Sequence, residues 1–233
     1  MNCKLCDQTK PLIDAHVIPK SFHRIYPTDK QPSRLFTNAV GEYNSTIPKG
    51  VYDKTIVCED CERTFSTWDD YANKLFIESW DSFKSIDSEG KEEGYYLEHY
   101  DYKKLKLFFM SVLWRATVSS HIMFRNIDLG PKEPRLRKAI QNSDAGDVDF
   151  FGVVLQAFNE TNIGILNPHP QRFDGLRYYR FYMSHIIAYI KVDSQPFGNQ
   201  FRSIALGAEK QLLIVSKNFR NSPERKIMRN MVM

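Results

Sequence analysis

The chain has 233 residues, of which 42% are hydrophobic and 26% charged, and a formal net charge of +4. That length buries a self-sufficient core as one large domain or two modest ones, and 16 Phe with 12 Tyr exclude extended disorder. The charge is too small to mark a nucleic-acid binder by itself, and the longest apolar runs, Leu107 to Leu113 and His185 to Ile190, are too short or interrupted to span a bilayer. With no apolar leader after Met1, the expectation is a soluble, cytoplasmic protein.

In chain order, Cys3 to Cys6 reads as a tight turn, followed by an extended stretch, Pro11 to Pro19, that places His16 on or just after a strand. The Pro-, Ser-, Thr- and Asn-rich segment from Lys20 to Lys49 predicts a long irregular connection. Val51 to Val57 is a second short strand candidate leading into Cys58 and Cys61. Phe65, Trp68, Tyr71, Ala72, Leu75, Phe76 and Trp80 then recur at helical spacing, the apolar side of an amphipathic helix rather than a base-stacking platform. The polar segment Asp81 to Gly94 predicts a domain boundary, giving an N-terminal module over 1–82 and a second domain over 95–233.

A second helix is predicted from about Tyr102 to Met123, with Leu105, Phe108, Phe109, Val112, Leu113 and Ala116 inward. Another is predicted over Arg135 to Gln141, after Pro131 and Pro134. Tyr178 to Val192 and Gln200 to Val215 are rich in aromatic and β-branched residues, which predicts a small antiparallel sheet and an α+β class. Ser222-Pro223-Glu224 has the chemistry of a helix start for a closing basic helix.

All four cysteines occur as two C-x2-C pairs. A chain expected in a reducing compartment puts such pairs to metal rather than to disulfides. Each pair supplies two thiolates from one turn, and two pairs complete a zinc tetrahedron. A shell filled wholly by protein leaves no open position, so that zinc is expected to be structural and any chemistry must come from other residues.

Cys3-x2-Cys6, Asp14-Ala15-His16-Val17-Ile18-Pro19 and Asp53-Lys54-Thr55-Ile56-Val57-Cys58-x2-Cys61-Glu62 together resemble the zinc-stapled HNH endonucleases. Their module is also called ββα-metal or treble-clef. The resemblance covers Met1 to Trp80 and implies two strands and a helix, a histidine that deprotonates water, a divalent cation such as Mg²⁺ or Mn²⁺, and a nucleic-acid phosphodiester as substrate, DNA ahead of RNA. It makes His16 the catalytic base, places Asp53 where the family has its Asn, and gives Glu62 to the catalytic cation. Lys20, His23 and Arg24, on the same loop, become candidate phosphate contacts.

Ala15 departs from the family, which keeps a metal-binding Asp or His there. Either the site draws its ligands from residues such as Glu62 and Asp53, or the module has lost cleavage and binds nucleic acid or a protein partner. The residues also allow plainer readings, with His16 capping the cysteine turn, Glu62 serving as a first-turn acid and Asp53 bonded to its own loop. Nothing from Tyr102 onward matches a catalytic motif, so that half is expected to scaffold or recognise, selecting the nucleic acid, docking a protein partner or pairing with a second copy. By the same resemblance, the context is a bacterial or phage defence effector.

Overall fold

The computed structural model describes residues 1–23, 34–36, 45–46, 50–158, 165–208, 211–218, 222 and 225. Near the N-terminus, β1 (Ala15–His16) is one side of a two-stranded antiparallel pair. β2 (Arg34–Phe36) and β3 (Ser45–Thr46) belong to a separate small sheet. β4 (Tyr52–Asp53) completes the pair with β1, Ala15 opposite Asp53 and His16 opposite Tyr52. α1 (Glu59–Asn73) follows directly, starting inside the second cysteine pair. Cys58 is its extended N-cap, and Glu59, Asp60 and Glu62 put negative charge against the positive end of the helix. The aromatic stripe faces inward as its spacing predicts, with Phe65, Trp68, Ala72 and Phe76 buried.

The segment expected to separate two domains is instead part of the main sheet. β5 (Lys84–Ser88) and β6 (Lys91–Leu97) form a hairpin whose turn residues, Glu89 and Gly90, have φ of 51° and 73°, the left-handed pair that a two-residue hairpin turn requires. Every residue of β5 is exposed, so it carries no apolar alternation and its composition is that of a linker.

α2 (Tyr102–Val118) begins at Asp101, whose Oδ1 accepts from the Lys104 N–H at 3.0 Å. From Leu105 to Ala116 every residue is buried, because α1, α3 (Glu133–Gln141) and the sheet surround the helix. β7 (Val153–Phe158), β8 (Ile165–Leu166), β9 (His169–Phe173), β10 (Leu176–Met183) and β11 (Ile186–Lys191) follow. The last elements are α4 (Asn199–Ile204) and β12 (Leu212–Lys217). The start of the predicted strand Gln200 to Val215 is therefore helical.

The main sheet has seven strands in the order β5-β6-β12-β7-β11-β10-β9, and β12 runs parallel to β7 while the other neighbours are antiparallel. The class is α+β, but the sheet is large and mixed rather than small and antiparallel. An apolar cluster runs from Cys3 and Phe22 through α1 and α2 to Ile214. The predicted closing helix lies outside the described residues, except that Ser222 Oγ accepts from the Arg225 N–H at 3.3 Å. Among the described residues no helix is long and apolar enough to cross a membrane.

Candidate metal centre and the adjoining histidine site

Backbone hydrogen bonds fold each cysteine pair and bring the two together. The first turn closes through Asp7 N–H to the Cys3 carbonyl at 2.8 Å and Cys3 N–H to the Gln8 carbonyl at 3.0 Å. It is tied to the second by Lys4 N–H to the Ile56 carbonyl at 2.8 Å and Ile13 N–H to the Val57 carbonyl at 3.1 Å. The four sulfurs lie within 4.8 Å of one another, with Cys3 to Cys61 at 3.6 Å and Cys6 to Cys58 at 3.9 Å. Sulfurs bound tetrahedrally at the zinc–thiolate distance stand about 3.8 Å apart, so the quartet can hold a metal ion and suits zinc. Burial pushes the Cys3 thiol up, but the N–H groups of Cys6, Cys58 and Leu5 bring it down to about 7. Burial pushes Cys61 well up. Among the described residues this is the one group of three or more Cys, His, Asp and Glu close enough to share an ion.

His16 stands beside this centre with its peptide clamped on both sides. Its N–H donates to the Glu62 carboxylate, and its carbonyl accepts from Arg115 Nη1 at 2.7 Å. Arg115 is fully buried. It makes a two-pronged ion pair with Asp69 at 2.9 and 2.7 Å, donates to Ser111 Oγ at 3.1 Å, and lies 4.9 Å from the centre of the Phe65 ring. Glu62 follows Cys61 in the first turn of α1, and its Oε2 is buried with no hydrogen-bond partner among the described residues. Burial pushes the Glu62 carboxyl up, and the Arg115 guanidinium opposes the shift.

Asp53 does not join His16. Opposed residues of an antiparallel pair share a face and successive residues alternate, so Asp53 lies on the face of Ala15 and His16 on the face of Tyr52. Both Asp53 oxygens are also engaged: Oδ1 accepts from Thr55 N–H and Oγ1 at 2.8 and 2.6 Å, and Oδ2 from Ser119 Oγ and Ser120 N–H, both at 2.8 Å, and Ser120 Oγ at 3.2 Å. This bracket ends α2 at Val118, five residues short of the predicted stop. Burial alone would raise the carboxyl, but these hydrogen bonds hold it far below its ordinary 3.8. A depressed carboxyl stabilises the fold above the unfolded value of 3.8, and that contribution is lost progressively as pH falls from about 4 toward the depressed folded value. Asp53→Asn, whose amide confronts donors, should lower unfolding stability by about 2 kcal/mol at neutral pH, with the gap to the parent narrowing on acidification. Urea titrations at pH 7 and pH 3.5 check both parts, and an equal gap at the two values would refute the ionised bracket.

The phosphate contacts fare unequally. Lys20 is exposed, whereas His23 is 2% exposed, with Nε2 lying 3.0 Å from the Ile18 carbonyl and 3.2 Å from the Val51 nitrogen. Burial pushes its pKa down to about 4, and the ring is enclosed in the packing rather than open to solvent. Gly50, at φ +75°, passes so close that a Cβ there would be 2.8 Å from the His23 ring and 3.4 Å from that of His16. Arg24 lies outside the described residues. Ala15 is fully buried, and Asp14 sits on the surface, 3.6 Å from Lys54, so it does not replace the missing ligand.

No protein-family model matches the chain, and no curated protein or solved structure is significantly similar to it. The site therefore rests on its own geometry. Arg115, Asp69, Ser119 and Ser120 belong to no motif in the sequence. A lone arginine on the apolar stretch Leu105 to Ala116 was the available signal, since a cation at such a position needs a buried partner.

Proposed function

We propose that the chain is a zinc-stapled, HNH-like endonuclease that hydrolyses nucleic-acid phosphodiesters, DNA foremost, with a second divalent cation at Glu62. The observation that supports this reading is the Glu62 carboxylate, which accepts from the His16 peptide and whose Oε2 is buried without a hydrogen-bond partner among the described residues. Such an orphaned oxygen suits Mg²⁺ or Mn²⁺, which would supply charge neutralisation at the phosphate when bound. His16 then accepts the proton of the attacking water, on a backbone held by Glu62 and Arg115. The exposed Lys20 would hold a neighbouring phosphate.

The test is nicking of a supercoiled plasmid with Mg²⁺ or Mn²⁺. His16→Ala should lower the rate by about a hundredfold or more while zinc content, read by mass spectrometry, stays at one per chain. A variant that cuts as fast as the parent removes His16 from the role. The rival reading is a zinc module that binds nucleic acid or a protein partner without cleaving. It is favoured by Ala15 and by the engagement of Asp53, since neither family position offers a free ligand. Salt-dependent binding with no cleavage under any metal would select it.

A further inference from the structure

Lys106 and Arg115 are nine residues apart on α2 and so leave it on opposite sides, and the Lys106 side has a polar site of its own. A cavity of about 170 Å³ lies beside α3, walled by Lys132, Arg135, Asp147, Asp149, Phe150 and Asp193. Past Lys132 and Val192 it meets a second cavity, of about 280 Å³, that reaches Arg177.

Two ammonium groups are fully buried behind the wall. Lys106 Nζ donates to the Asp147 carbonyl at 3.2 Å, its single hydrogen bond among the described residues. Lys191 Nζ donates to the Gln195 carbonyl and lies 3.4 Å from that of Asp193. Lys132 donates to the Val192 carbonyl, and the Arg135 guanidinium lies 4.8 Å over the Phe150 ring. Neither has a carboxylate partner among the described residues.

The aspartates are committed elsewhere. Asp147 Oδ1 accepts the Asp149 and Phe150 N–H groups, both at 2.9 Å. Asp149 pairs with Arg202 at 2.6 Å, and Asp193 Oδ1 accepts the Gln195 N–H at 3.1 Å. With Asp149 paired to Arg202, Lys106, Lys132, Arg135 and Lys191 outnumber Asp147 and Asp193, which leaves an excess of positive charge. Like charges buried side by side oppose each other, and burial with that repulsion pushes Lys106 down to about 7 even though the nearby aspartates oppose the shift. A bound anion would relieve both lysines.

We infer that this cavity binds a phosphate monoester, its dianion held by Lys132 and Arg135 above Lys106 and Lys191, with Phe150 and Phe151 facing the rest of the ligand. The charge matches, since a phosphate monoester carries about −1.5 to −2 at neutral pH whereas one carboxylate would leave a cation unmatched. The site stands apart from His16 and does not depend on the nuclease reading.

Thermal unfolding of the full chain with inorganic phosphate, ribose 5-phosphate or AMP, each near 10 mM at constant ionic strength, tests it. At least one should raise the melting temperature, and the pattern separates free phosphate from a sugar or nucleoside phosphate. Lys132→Ala/Arg135→Ala changes only groups at the cavity wall and should weaken binding about tenfold or more. Lys106→Met, which replaces a buried cation by a side chain of similar shape, should fold at least as well and also bind more weakly. His16→Ala should bind as the parent does. No shift from any of the three ligands, or an undiminished shift in the double variant, overturns the inference.

Discussion

Replacing Cys58 by serine should empty the cysteine centre and unfold the N-terminal segment that leads into α1. Cys58 holds three positions at once: its sulfur is 3.9 Å from that of Cys6, its N–H donates to Cys3 Sγ at 3.4 Å, and it is the extended N-cap from which α1 departs. Its carbonyl accepts the Glu62 N–H at 3.0 Å, so the start of the helix hangs on this residue. Structural zinc contributes binding free energies of about 10 kcal/mol or more in small zinc-folded peptides, and that energy is available only to the folded arrangement. Once it is lost, Phe65 and Trp68 are no longer pinned against α2, and the shared core transmits the loss to the rest of the chain. The expected result is about one zinc per chain in the parent and close to none in Cys58→Ser, with a lower and broader thermal transition. Treating the parent with a strong chelator should reproduce this transition. A parent that contains no metal, or whose unfolding ignores the chelator, would remove the centre from the fold's energetics.

Arg115→Met should be nearly as damaging although Arg115 lies far from the cysteines in sequence. The guanidinium joins three segments, through the His16 carbonyl, both oxygens of Asp69 and Ser111. Methionine fills much of the same volume, so the loss is electrical: the Asp69 side chain is 13% exposed and would be left with an unpaired charge. Breaking a buried pair from one side costs about 3–5 kcal/mol. The sign of the pH response identifies the cause. Burial pushes the Asp69 carboxyl up, and in the variant nothing from Arg115 opposes it. A folded pKa above the unfolded value means that the folded state binds the extra proton, so the variant should regain stability as pH falls from that raised value toward 3.8. Denaturant midpoints from pH 7 to pH 4.5 should therefore converge between parent and variant. A loss that does not change over this range would point to packing rather than to the stranded carboxylate.

Local patterns were legible wherever spacing alone dictates geometry. The apolar interval from Phe65 to Ala72 places α1, and Asp101 caps α2 by short-range chemistry. The hairpin of β5 and β6 was illegible because an edge strand open to water has no need of alternating apolar residues, and its polar composition is also that of a linker. Asp53 was assigned to the site by its distance from Cys58. A register that turns it toward Ala15, together with hydroxyls 66 and 67 residues away, makes it a bracket instead. His23 likewise looked like a loop histidine until packing enclosed it.

The sequence by itself determined the two cysteine turns, the two long helices and the α+β class. Each of these follows from residues within a few positions of one another. Only the tertiary structure decided which strand face His16 shares, that Arg115 holds its carbonyl, and that the polar middle segment extends the sheet. Those outcomes depend on partners dozens of residues apart, which chain proximity does not encode and which only packing against a common core brings into contact.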